Sequence, residues 1–167
     1  AEIVAGPGED GVPHPSIYPT TLFNFVSPGA KPAPDATPDH GLPWDDEREY
    51  GWTRNLSKNH RNRNKRPDSL ADSFIYTRDT DTWECAVKNG YFEVTVCVGD
   101  SGHDQVGQTV TVEGRPVISS VRTKSGYFHE TTSRVRVADG RLTVQIGGSG
   151  LPGTNTCLNW VQVVRMR

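Results

Sequence analysis

From Ser73 onward, apolar and polar positions alternate in short runs with a period of two, interrupted by turn residues. The clearest stretch is Trp83–Asp100, WECAVKNGYFEVTVCVGD. In its first run Trp83, Cys85 and Val87 alternate with Glu84, Ala86 and Lys88. In its second, Phe92, Val94, Val96 and Val98 alternate with Glu93, Thr95 and Cys97. A period of two turns one face to a core and the other to water, the signature of half-buried sheet. Asn89-Gly90 can take the positive φ angles of a tight turn, so the two runs read as a β-hairpin. Gly99-Asp100-Ser101-Gly102 stops it.

The same reading predicts strands over Ser73–Thr77, Gln108–Val112, Val117–Arg122 and Cys157–Arg165, and a short edge strand at Tyr127–His129. A second hairpin is expected from Arg134–Ala138 and Arg141–Ile146 around Asp139-Gly140. Earlier in the chain only Thr21–Val26 alternates. Nine of the twelve prolines precede residue 44, so residues 1–20 read as an extended linker or arm and Pro28–Pro43 as a polar loop. Nine or ten short strands with regular turns imply one all-β domain over residues 21–167, a β-sandwich or jelly roll.

Composition fits that picture. The 167 residues are 34% hydrophobic with 17 glycines, which suits a loop-rich β protein. The net charge of −2 argues against a nucleic-acid partner. No apolar run approaches the ~20 residues that span a bilayer, so no membrane partner is expected. The Ala1 start is compatible with a removed leader, and an extracellular location is expected. Three cysteines lack zinc-site spacing. Alternation sets Cys85 and Cys97 on opposite faces, which leaves Cys157 as a partner for one of them or, equally, three buried reduced thiols. The pairing expected is Cys97–Cys157, with Cys85 buried and reduced.

Residues 44–66, WDDEREYGWTRNLSKNHRNRNKR, show neither period cleanly. They place Trp44, Tyr50 and Trp52 beside Arg54, Lys58, His60, Arg61, Arg63, Lys65 and Arg66. Flat aromatic rings suit the C–H faces of sugars, and guanidinium forks suit carboxylates. Trp52 equally fits a plug in the end of a sandwich. Asn55-Leu56-Ser57 is a glycosylation sequon, relevant only to a chain secreted by a eukaryote.

Several blocks in order carry a resemblance: an F-x-F strand at Phe23–Phe25, the Y-G-W loop at Tyr50–Trp52, and the R-x-R cluster at Arg61–Arg63. D-S-F-I at Asp72–Ile75 follows, then N-G-Y-F-E-V-T-V-C-V-G-D at Asn89–Asp100, D-G-R-L-T-V at Asp139–Val144 and L-N-W-V-Q-V at Leu158–Val163. Together they resemble the galactose-binding-like β-sandwich modules attached to rhamnogalacturonan acetylesterases and β-agarases. These are relatives of malectin-like and carbohydrate-binding-module jelly rolls.

The resemblance implies a non-catalytic, secreted module that brings an attached carbohydrate-active enzyme to a polysaccharide. It places the ligand loop at Tyr50–Asp72. Tyr50, Trp52, Arg54, Arg61, Asn62, Arg63 and Asp72 are therefore the candidate ligand-binding residues, with an acidic pectic or algal polysaccharide preferred. A structural Ca²⁺ is a further expectation, with Asp79 and Asp81, or Asp100 and Asp104, as oxygen donors.

Two alternatives stand beside this reading. One is a purely structural sandwich packed on a catalytic domain. The other is a small serine hydrolase, since Gly99-Asp100-Ser101-Gly102 looks like a nucleophile motif. Such a serine needs a histidine base and an orienting carboxylate within reach.

Overall fold

The computed structural model describes residues 20–67 and 69–166, so the arm expected over residues 1–20 falls, Thr20 apart, outside the described residues. Two sheets stack face to face. One contains seven strands: β1 (Thr20–Phe25), β2 (Thr37–Asp39), β4 (His60–Asn62), β5 (Ser73–Thr77), β7 (Gly90–Gly99), β10 (Phe128–Val137) and β12 (Thr156–Arg165). The other contains β3 (Tyr50–Trp52), β6 (Thr80–Ala86), β8 (Gln105–Val112), β9 (Arg115–Thr123) and β11 (Arg141–Gly147). A single helical turn, α1 (Ser69–Asp72), precedes β5.

The larger sheet runs β10-β7-β12, after which β12 is shared between two neighbours. Its first residues, Thr156–Leu158, pair with β5, and Trp160–Val164 pair with β1. The smaller sheet runs β3-β6-β11-β8-β9. The core lies where the inner faces meet. Val94, Val96 and Val98 of β7 and Leu142, Val144 and Ile146 of β11 belong to one apolar cluster, all six at 0% exposure. Burial of each such side chain contributes about 1.5–3 kcal/mol.

Neither predicted hairpin forms. β6 and β7 lie in different sheets, as do β10 and β11, so Asn89-Gly90 and Asp139-Gly140 are arches that carry the chain between layers. Asn89 and Asp139 do not take positive φ, whereas both tight two-residue hairpin turns need it at their first central residue. Alternation alone does not separate the two arrangements, because inward-facing apolar residues are required in either. The two arches lie side by side. The Val87 N–H donates to the Gly140 carbonyl at 2.9 Å, and the Gly140 N–H donates to Asn89 Oδ1 at 2.7 Å. The tight hairpin is instead β8–β9, with Glu113 at φ 48° and Gly114 at 75°.

The predicted disulfide is also absent: Cys85, Cys97 and Cys157 are all buried thiols. A bulge at Asn159 sets Trp160 opposite Cys97 and Leu158 opposite Val98, which carries Cys157 away from Cys97 to face Tyr76. The Cys97 Sγ donates to Asn159 Oδ1 instead. Burial pushes the Cys85 thiol up to about 12 and raises that of Cys157 as well.

Candidate functional site

The aromatic residues of the predicted ligand loop turn inward. Trp52 is 1% exposed, packs edge-on against Phe25 and donates its indole N–H to Asp39 Oδ1 at 2.9 Å. Trp83 donates to the other oxygen, Oδ2, at 2.9 Å. The Gly41 N–H adds a third bond to Asp39 at 2.8 Å. Burial pushes the Asp39 carboxyl above its ordinary range, and the Gly41, Trp52 and Trp83 donors pull it partly back. Tyr50 packs on Phe23 and gives its hydroxyl to the Pro38 carbonyl. Trp52 therefore has no face to offer a sugar; it is the plug of the sandwich. Nothing in the local sequence around Asp39 marks it as the residue that fixes both indoles.

The basic residues divide. Arg54 forks onto both oxygens of Asp81, which also accepts the Thr77 hydroxyl, and so braces the β5–β6 turn. Asn62 accepts the Asn64 N–H within its own turn. Asp72 is 4% exposed and accepts the Lys65 N–H and the Ser101 hydroxyl, which ties the loop before β5 to the turn after β7. That bond occupies Ser101, itself 7% exposed, with a carboxylate rather than an imidazole.

Arg61 and Arg63 remain together, and they line a cleft of about 200 Å³ on the outer face of β5. Antiparallel pairing of β4 with β5 sets Arg61 beside Phe74, and the side chains lie over the outward rings of β5. The Arg61 guanidinium sits 5.1 Å from the Tyr76 centroid, Arg78 sits 5.8 Å from the same ring, and Arg63 lies 5.4 Å from Phe74. His103 and Gln105 close one side, Asn155 another, and Cys157 forms part of the floor. Asn155, whose side chain also lines the cleft, has a buried Oδ1 with no hydrogen-bond partner.

Arg63 is held by Asp100, to which it donates two bonds at 2.9 and 2.8 Å. Burial pushes the Asp100 carboxyl up, but Arg63, the Gly102 N–H and Gln105 outweigh it and hold the group below its ordinary value. Behind β4, His60 bonds Ser27 Oγ at 2.7 Å. Burial, then Arg61 and His40, lowers its pKa. With Asp100 spent on Arg63, no unpaired carboxylate lines the cleft, and it presents guanidinium and imidazole donors to a negatively charged or hydroxyl-rich ligand.

Two residues offered as calcium donors are engaged otherwise: Asp81 by Arg54 and Asp100 by Arg63. Among the described residues no group of three or more His, Cys, Asp or Glu side chains is placed to hold a metal ion. No helix there is long and apolar enough to cross a membrane. Sequence reasoning found Arg61 and Arg63 but missed Tyr76, Arg78, His103, Gln105 and Asn155. The one available signal was in SFIYT, where Phe74 and Tyr76 share the face opposite Ile75.

The architecture has counterparts among solved structures. Protein YXIM of Bacillus subtilis superposes with a TM-score of 0.67 at 19% identity, over 89% of this chain and 40% of that one. The plant receptor-like kinase FER gives 0.63 at 12% identity, over 89% and 42%. The β-glucuronidase of Bacteroides uniformis gives 0.57 at 9%, over 89% and 18%. The fold is a galactose-binding-like β-sandwich. The chain spans less than half the length of each of these three proteins. No family model and no curated protein matches the sequence.

Proposed function

We propose that this galactose-binding-like sandwich is a non-catalytic carbohydrate-binding module that takes an acidic polysaccharide in the β5 cleft. The observation that carries this reading is the cleft itself, where Arg61, Arg63 and Arg78 lie over Phe74 and Tyr76 and no carboxylate among the described residues lines the wall. A uronic carboxylate meets the exposed guanidinium forks of Arg61 and Arg78, and Tyr76 supplies an apolar ring. The stacking ring assigned by sequence to Trp52 is thus Tyr76. The β-glucuronidase that shares the fold is far longer than this chain, which supports an accessory role beside a secreted carbohydrate-active enzyme. The Ser101–Asp72 bond favours a structural turn over a serine nucleophile.

Calorimetry with a uronic-acid oligosaccharide and a neutral one of equal length tests the reading. Arg61→Ala and Arg78→Ala should each weaken acidic-glycan binding about tenfold, less at high salt because exposed charge is screened within ~8 Å. Equal affinity for the two glycans, or full binding by both variants, rejects the β5 cleft as an acid-sugar site.

A further inference from the structure

We propose that the chain self-associates through the outer edge of β10, two copies pairing these strands antiparallel about Thr132. β10 is ten residues long and pairs with β7 along its whole length without a register shift. It ends the larger sheet, so among the described residues its second edge carries no strand. Open edges are usually blunted by prolines, bulges, short strands or charged side chains. β9, which ends the opposite sheet, is blunted by Pro116 and by repeated register shifts against β8. β10 has no Pro, Gly or bulge along Phe128–Val137.

Its sequence is complementary to itself in one register. The outward face presents Phe128, Glu130, Thr132, Arg134 and Arg136, while Val135 and Val137 turn into the core at 3% and 1% exposure. With Thr132 opposite Thr132, Glu130 meets Arg134 of the second copy twice, and Phe128 meets Arg136 of the second copy twice. A parallel pairing in register would instead oppose Arg to Arg and Glu to Glu, which is destabilising. Both charges are available. Glu130 is exposed and has no partner among the described residues, and Arg134, 74% exposed, reaches only Glu93 at 4.0 Å.

The inner face agrees. Thr131 and Ser133 follow Val135 on that face, and in the same register Ser133 meets Thr131 of the second copy. The Ser133 hydroxyl is buried and lacks a partner in the single chain. Beside it a cleft of about 430 Å³ opens between β9 and β10, with Val117 and Val135 in its lining. That space receives the inward side chains of the incoming strand. The two copies then share one continuous sheet.

Sedimentation equilibrium of the whole chain over about 1 μM to 1 mM, the range of small interfaces, tests the proposal. The expected result is a mass that rises towards two chains with concentration. Arg134→Glu should weaken association at least tenfold, because it sets Glu against Glu130 twice, and Glu130→Arg added to it should restore association. Both side chains are exposed, and equal melting temperatures establish that each variant is folded. A monomer at every concentration overturns the proposal, as does association indifferent to Arg134→Glu or not rescued by the double variant.

Discussion

Asp39 sits between Trp52 and Trp83 in the core, whereas Arg61, Arg63 and Arg78 lie over Phe74 and Tyr76 on the outer face of β5. Both regions combine aromatic rings with charge. In the first, one carboxylate accepts three N–H donors, and the rings meet edge to face with no opening to water. In the second, cations lie on ring faces, two of them exposed, in a cleft that Asn155 also lines. A charge enclosed by fixed donors organises a core; a charge left at a rim, over a ring, is available to a ligand.

The sharpest way to break this contrast is Trp52→Ala. Loss of a fully buried indole should cost about 3–5 kcal/mol in urea unfolding. Glycan affinity of the folded fraction should stay unchanged. Weakened binding without loss of stability would return Trp52 to the ligand site.

Asp39→Ala comes next, at about 3 kcal/mol, because two buried indole donors are left without an acceptor. Asp39→Asn should recover little of it. The site needs an acceptor-only group, and an amide would turn its own donors towards one of the indoles. A neutral effect of Asp39→Asn in thermal melts would show that the indoles tolerate a donor there.

Arg63→Ala is the smallest of the three in stability and touches both regions' logic. It leaves the Asp100 carboxylate, fully buried, with only Gly102 and Gln105, at a cost of about 2 kcal/mol at neutral pH. The folded pKa of Asp100 lies below its unfolded value, so this stabilisation is present above the ordinary value of 3.8 and fades as the pH falls through the folded one. Unfolding free energies of parent and variant should therefore converge below pH 3.8 and stay apart above it. A gap independent of pH would mean that Arg63 acts by packing on Phe74 alone.

The sheet content was legible in the sequence because alternation reports which residues face inward. Partnership was not. Val87 and Tyr91 flank a turn with the residue types of a hairpin, yet the strands part into different layers, a choice made by packing across the sandwich. The resemblance of the Asn89–Asp100 and Asp139–Val144 blocks fixed the architecture, for these strands fill the core. The cleft was half legible. Arg61 and Arg63 stood out in a basic run, while Asn155 and His103 come from loops more than 35 residues away that meet only after β5, β7 and β12 assemble. Trp52 misled because a tryptophan beside glycine suits a binding loop and a core plug equally, and its deciding partner, Asp39, is remote in sequence.

The two arches bear on how the chain reaches this fold. Among the described residues, only β4–β5 and β8–β9 are antiparallel pairs of consecutive strands; every other antiparallel ladder joins distant segments. Loop-closure entropy must be spent before those ladders return any stabilisation, which places refolding in the slow regime of β-sandwiches, about milliseconds to seconds. The Glu113-Gly114 turn is then the natural early nucleus, a local ribbon able to form before the layers exist. The arches at Asn89 and Asp139 close late and together, because each supplies the hydrogen bonds of the other.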